Sequence, residues 1–152
     1  MSIFTPEQRK LFEGANFVNV ATISSDGTPR TTAIWVDIDG DDILLNGARS
    51  RKWINNLRKN PTLALSIFDV TMPYHQINVQ GEVLEITEEG AEAHIDKLSQ
   101  KYFGSDYPDH NPNDPRTIGQ GKKIQEYWGL GESWRNIRTR MVMGGKLAFV
   151  KA

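Results

Sequence analysis

The chain has 152 residues, 38% of them hydrophobic and 24% charged, which supports one globular domain over residues 1–152 and excludes a disordered or collagen-like chain. Its 18 basic and 19 acidic side chains nearly cancel, so nucleic acid is not an expected partner and any bound anion must be held by a local cluster. The absence of cysteine excludes disulfides, thiolate metal sites, iron–sulfur clusters and cysteine nucleophiles. No apolar run approaches the roughly 18 residues needed to cross a bilayer. The start, MSIFTPEQRK, lacks the basic stretch and apolar block of a signal peptide, so a cytoplasmic protein without a membrane partner is expected.

A short helix is predicted first. Thr5 caps it, Pro6 suits its first position, Gln8 completes a capping box and Gly14 ends it. The β-branched run from Asn16 to Ile23 then reads as a strand ending at the turn Ser25-Asp26-Gly27. Arg30 to Asp39 is predicted as a single strand, with Ile34, Val36 and Ile38 on one face and Thr31, Ala33 and Trp35 on the other. Gly40 turns the chain into a third strand, Ile43 to Ala48, making an antiparallel meander.

Arg49 to Asn60 reads as a helix with Trp53, Ile54 and Leu57 on one side, stopped by Pro61. Two further strands are predicted at Leu63 to Asp69 and Gln76 to Ile86. Thr87 is expected to cap a second helix, in which Ala91, Ile95, Leu98 and Tyr102 keep helical spacing up to Gly104. Proline, Asn and Asp make Ser105 to Gly121 loop-like, followed by a short helix at Lys122 to Trp128. Arg138 to Val150 closes the chain as one strand or a hairpin through Gly144-Gly145. About six short strands with peripheral helices amount to a small, mainly β antiparallel barrel.

The segment with the most chemistry is RSRKWINNLRKNP. Arg49, Arg51 and Lys52 crowd the start of a predicted helix, where the backbone already carries partial positive charge. Cations there become favourable when an anion docks on the free amide groups, with the hydroxyl of Ser50 beside them. A phosphate fits that description. A solvated basic helix start is the plain alternative.

The segment RSRKWINNLRKNPTLALSIF resembles the phosphate-binding stretch of the pyridoxamine-phosphate-oxidase-like, flavin-binding split barrels. VATISSDGTPRTTAIWVDIDGDDI is similar to the first strands and turn of that family, and PYHQINVQGEVLEI to its later strand. AEAHIDKLSQKYFG resembles a helix of the branch that uses the deazaflavin coenzyme F420. The resemblance runs from Asn16 to Gly104. It implies a split β-barrel acting as a homodimer, with cofactor sites across the subunit interface. Arg51 and Lys52 would hold the cofactor phosphate, with Arg49 and Ser50 beside them. Thr31, Thr32, Ala33 and Ile34 would line the ring, and Gln76 would reach the ring or ribityl chain. The C-terminal Trp and Arg that the vitamin-B6 oxidases use on their substrate have only a loose match here, in Trp134 with Arg138 or Arg140.

The expected activity is therefore that of an F420-dependent oxidoreductase passing hydride to the activated double bond of a small conjugated substrate. An FMN-dependent reductase or oxidase of the same fold, and a non-catalytic flavin or haem binder, are the alternatives. Trp35, His75, Trp128 and Trp134 are the candidate substrate contacts. No catalytic residue is assigned, because the cofactor carries the hydride chemistry.

Other motifs have plainer explanations. In Asp37-Ile38-Asp39-Gly40-Asp41-Asp42 the glycine is fourth rather than sixth, so a hairpin turn is favoured over a calcium loop. His75, His94 and His110 are too scattered for a metal set, and His94 reads as a core histidine. Gly119-Gln120-Gly121-Lys122 lacks the spacing of a phosphate loop.

Overall fold

The computed structural model describes residues 3–128. Three helices, α1 (Pro6–Glu13), α2 (Lys52–Lys59) and α3 (Ala91–Phe103), accompany seven strands. The strands are β1 (Val18–Ile23), β2 (Pro29–Ile34), β3 (Val36–Asp39), β4 (Asp42–Ala48), β5 (Thr62–Asp69), β6 (Met72–Thr87) and β7 (Arg116–Trp128). All pair antiparallel in one sheet, in the order β2-β1-β5-β6-β7-β4-β3. The mainly β barrel expected from the sequence is therefore present, with seven strands among the described residues where about six were expected.

The two edge strands of that sheet, β2 and β3, are joined by the single residue Trp35. A flat sheet of seven strands would be roughly 29 Å wide at the usual strand spacing. Two Cα steps span at most about 7 Å. The sheet must therefore curl until its edges meet at Trp35. Its concave side holds Val18, Val20, Leu45, Leu65, Ile67 and Ile77, all at most 3% exposed, closed at one end by Leu11 and Phe12 of α1.

Several predicted boundaries are corrected. The strand expected at 30–39 is two strands, because Val36 leaves the β2 ladder to pair with Leu45. The helix expected at Lys122 to Trp128 and the loop up to Gly121 are instead the strand β7, which pairs with β4 on one side and β6 on the other. Over Lys122 to Trp128 the ladder to β6 overrides a short stretch of helical propensity, and over Arg116 to Gly121 the ladder to β4 orders what read as loop. The helix expected from Arg49 begins at Lys52, with Arg51 in the cap position and no side-chain cap. Gly90, at φ 72°, precedes α3 where Thr87 was expected, and Thr87 Oγ1 instead accepts the Glu89 N–H. The capping box of Thr5 and Gln8 forms as read from the sequence. The strand or hairpin expected at Arg138 to Val150 lies outside the described residues.

One polar cluster ties α3 to the sheet. Asp37, buried on β3, accepts from Lys97 Nζ at 2.6 Å, and His94 Nε2 stands 3.3 Å from the same carboxylate oxygen. Burial pushes the Asp37 carboxyl up, but His94, Lys97 and the Ile38 N–H outweigh it and hold the group well below the usual carboxylate range. A depressed carboxylate contributes stability that is complete above the unfolded value and is lost as pH falls through the folded one. The Asp37→Asn variant should lose about 2 kcal/mol at pH 7. That difference from the native chain should shrink on acidification below about pH 4, as read by urea titrations across pH. A constant difference down to pH 2 would show that Asp37 acts through packing alone.

Candidate functional site

The seam at Trp35 opens into a cavity of about 290 Å³. Its walls come from both sheet edges and from the elements that cover them. Thr32, Ala33, Ile34 and Trp35 contribute one side, Asn46 and Gly47 of β4 another, and Arg51, Trp53, Tyr107 and Arg116 the rest with Phe17 and Ile95. Small residues on β2 and a glycine on β4 keep the backbone accessible to a flat molecule. Gly47 is needed there for a specific reason. A Cβ on it would lie 2.6 Å from Trp53 Cζ2, too close for any relaxed structure.

The cavity has an aromatic side and a basic end. Trp35 stacks on Tyr102 with ring centroids 5.1 Å apart and planes 12° from parallel, and Phe103 and Tyr107 meet it edge-on. Tyr102 is fixed at its hydroxyl, which accepts from the Val36 N–H and donates to Asn16 O. Burial pushes this phenol up to about 12, so it stays protonated. At the basic end, the Arg116 guanidinium lies 4.3 Å from the centroid of Tyr107. Arg51 lines the cavity beside it, and Lys52 begins α2.

The loop between α3 and β7 forms the outer wall. His110 bridges Glu92 and Asp96 of α3 through its two ring nitrogens, and these carboxylates hold its imidazole above its ordinary value. Asp114 accepts from the Ser50 N–H at 2.8 Å and from Ser50 Oγ at 2.6 Å. Ser50 is thus engaged by a carboxylate of the chain itself. Arg49 pairs with Glu88 at 3.1 Å, in an exposed position.

Of the residues singled out in the sequence, Thr32, Ala33, Ile34, Trp35 and Arg51 meet at this cavity. Arg49, Ser50 and Lys52 adjoin it as exposed neighbours of Arg51. Thr31 points the other way along its strand and lines a separate cavity with Asn19, Ala64 and Ser66. Gln76 of β6 pairs with Phe68 of β5, and neither it nor His75 is among the lining residues. Trp128 ends β7 at the register of Ile77, and Trp134 lies outside the described residues. Sequence reasoning missed Phe17, Asn46, Tyr107 and Arg116. Arg116 was hidden because Pro115 and the preceding Asn and Asp residues read as solvated loop, although it starts a central strand.

Among the described residues no cluster of His, Asp and Glu is arranged to hold a metal ion, and no helix is long and apolar enough to cross a membrane.

The family model for pyridoxamine 5'-phosphate oxidase matches residues 4–124. The chain belongs to that family, and its fold is the family's split barrel. An F420 reductase of solved structure is 28% identical and superposes with a TM-score of 0.70, covering 81% of this chain and 98% of its own. A conserved hypothetical protein from Mycobacterium tuberculosis is 22% identical, with a TM-score of 0.66 over 90% of this chain and 93% of that one. HupZ from Group A Streptococcus is 20% identical, with a TM-score of 0.64 over 89% and 99%. The last two likenesses concern the fold alone. No curated protein sequence matches the chain.

Gly47→Ala tests the cavity floor. Overpacking against Trp53 should cost about 1–3 kcal/mol and reduce the cavity, read by urea denaturation and by the Trp fluorescence maximum. An unchanged midpoint would mean that Trp53 moves aside freely.

Proposed function

We propose that this protein is an oxidoreductase that binds a flavin-type cofactor in the Trp35 cavity, and that the cofactor is the deazaflavin F420. The observation that carries the reading is the cavity itself. Thr32, Ala33 and Gly47 line it together with the cations Arg51 and Arg116. Those features fit a planar ring joined to a phosphate: the ring needs close backbone approach and the phosphate needs cations at a helix start. The likeness to an F420 reductase supports the deazaflavin over FMN. FMN remains the second reading, since the Arg51-Lys52 pair serves either phosphate. A haem binder is less well supported, because no histidine lines the cavity.

In this reading Arg51 and Lys52 hold the phosphate with Arg49 beside them, while Thr32, Ala33 and Ile34 set the plane of the ring. Trp35, stacked on a Tyr102 fixed at its hydroxyl, gives the exposed side of the cavity a rigid aromatic surface for a conjugated substrate. The bound cofactor supplies hydride to an activated double bond. The protein contributes positioning and exclusion of water.

Separate titrations with F420 and FMN, followed by Trp quenching and cofactor fluorescence, test the proposal. Tighter binding of F420 supports it, tighter FMN binding moves the protein to the FMN reading, and binding of neither overturns it. Replacing Arg51 and Lys52 together by Ala should weaken the favoured cofactor by at least about tenfold. Unchanged affinity would remove the phosphate assignment.

A homodimer forms part of the same proposal, with Gln76 and His75 contributing to a site across the interface. Its support is the outer face of β1, β2, β5 and β6, where Thr31, Ser66 and Asn78 line one shallow depression, Ile23 and Leu63 another, and Ala21 and Ala64 both. A sheet face of small, weakly charged side chains is suited to close packing. Light scattering on the eluting protein should give twice the monomer mass; a monomer would confine the site to the residues of one chain.

A further inference from the structure

If a phosphate docks at the start of α2, it meets a carboxylate already in place. Asp114 takes both donors of Ser50, the backbone N–H on one oxygen and the hydroxyl on the other. Two oxygens of a phosphate would take the same two bonds. Those bonds hold the Asp114 carboxyl below the usual range, with Arg49 and Arg51 acting in the same direction. The loop is also pinned next to Asp114, because Pro115 O accepts the Arg49 N–H at 2.9 Å.

The surrounding charges are nearly balanced. Among the described residues, Arg49 and Arg51 act on Asp114, Arg49 pairs with Glu88, and Arg116 lies by Glu92. Glu88 sits on Arg49, and Glu92 accepts the Arg116 backbone N–H at 2.9 Å while lying near its guanidinium. Glu92 is also shared with His110, which bridges to Asp96.

We propose that Asp114 determines which phosphate this site accepts, admitting a phosphodiester with one charge in preference to a terminal monoester. The proposal rests on the cofactor reading above and deepens it. A monoester carries between about 1.5 and 2 negative charges at pH 7. Coulomb repulsion scales with the product of the charges, so a fixed carboxylate penalises the monoester nearly twice as strongly in free energy as the diester. F420 carries its phosphate as a diester and FMN ends in a monoester; riboflavin is FMN without its phosphate, and the ribityl-only 8-hydroxy-5-deazaflavin is the matching phosphate-free form of F420, so each phosphate is compared against its own ring.

The test uses Asp114→Asn, which removes the charge and keeps an oxygen that can accept from Ser50. Thermal melts establish that the variant folds, and Asp114→Ser carries the same comparison if it does not. Dissociation constants for F420, FMN and the two phosphate-free forms are then measured on the full chain by fluorescence quenching. The variant should bind FMN about tenfold and F420 about threefold more tightly, with riboflavin unchanged. Equal gains for FMN and F420, no gain for FMN, or a riboflavin gain matching that of FMN would overturn the role of Asp114. If neither native nor variant protein binds FMN or F420 more tightly than its own phosphate-free form, the phosphate reading fails and the proposal falls with it.

Discussion

The connection through Trp35 is the constraint on which the rest of the structure depends. Ile34 completes one edge of the sheet and Val36 begins the other. A connection of one residue forces the curl that encloses the core, and it leaves a seam where no ladder hydrogen bonds run from β2 to β3. Backbone groups at such a seam need partners from elsewhere. Part of that need is met by α3: Tyr102 accepts the Val36 N–H, and Lys101 Nζ donates to Val36 O at 2.7 Å. The same ammonium also reaches Phe12 O, and burial lowers it to about 8. The helix that holds the seam together thus also supplies the ring on which Trp35 stacks.

This coupling explains why the cavity has a defined shape although its outer wall is a loop. From Ser105 to Pro115 the chain has no regular structure, yet it is fastened along its length. Tyr107 N–H donates to Asp96, His110 bridges Glu92 and Asp96, and Asp114 holds Ser50. The carboxylates on α3 act twice, since Glu92 also accepts the Arg116 N–H where β7 begins. A wall fixed by charged hydrogen bonds at the surface responds to pH and salt more than one fixed by apolar packing. Geometry at the mouth of the cavity and its electrostatics are therefore one property here.

Much of the fold was legible in the sequence because local signals and tertiary packing agree. Thr5, Pro6 and Gln8 specify the start of α1 with no help from the rest of the chain, and the alternation through Val18 and Val20 survives as burial in β1. The failures share one cause. The Lys122-Lys123 region of β7 is held by β6, a strand distant in sequence, and its local composition carries no trace of that pairing. Trp35 likewise keeps the alternation of a continuous strand, while the ladder changes partners around it. For the site, the basic cluster and the small residues of β2 stand out as types in a pattern. Tyr107, Asp114 and Arg116 did not, because their role comes from a loop folding back onto β4 and α2.

The arrangement at α2 separates what stabilises the helix from what its exposed start can bind. The helix has no side-chain cap and no acidic residue in its first turn, and cations stand where the backbone is already positive. A missing cap costs roughly 1 kcal/mol. Burial of Trp53, Ile54 and Leu57 contributes on the order of 2 kcal/mol each. Asn56, also buried, anchors the helix through hydrogen bonds to Thr22 and Ser24 of the neighbouring strand and turn. Packing on one face thus outweighs the unfavourable electrostatics at the end. Residues 49–52 are left free to be chosen for the anion they meet, and in the isolated chain Asp114 and Glu88 supply that negative charge.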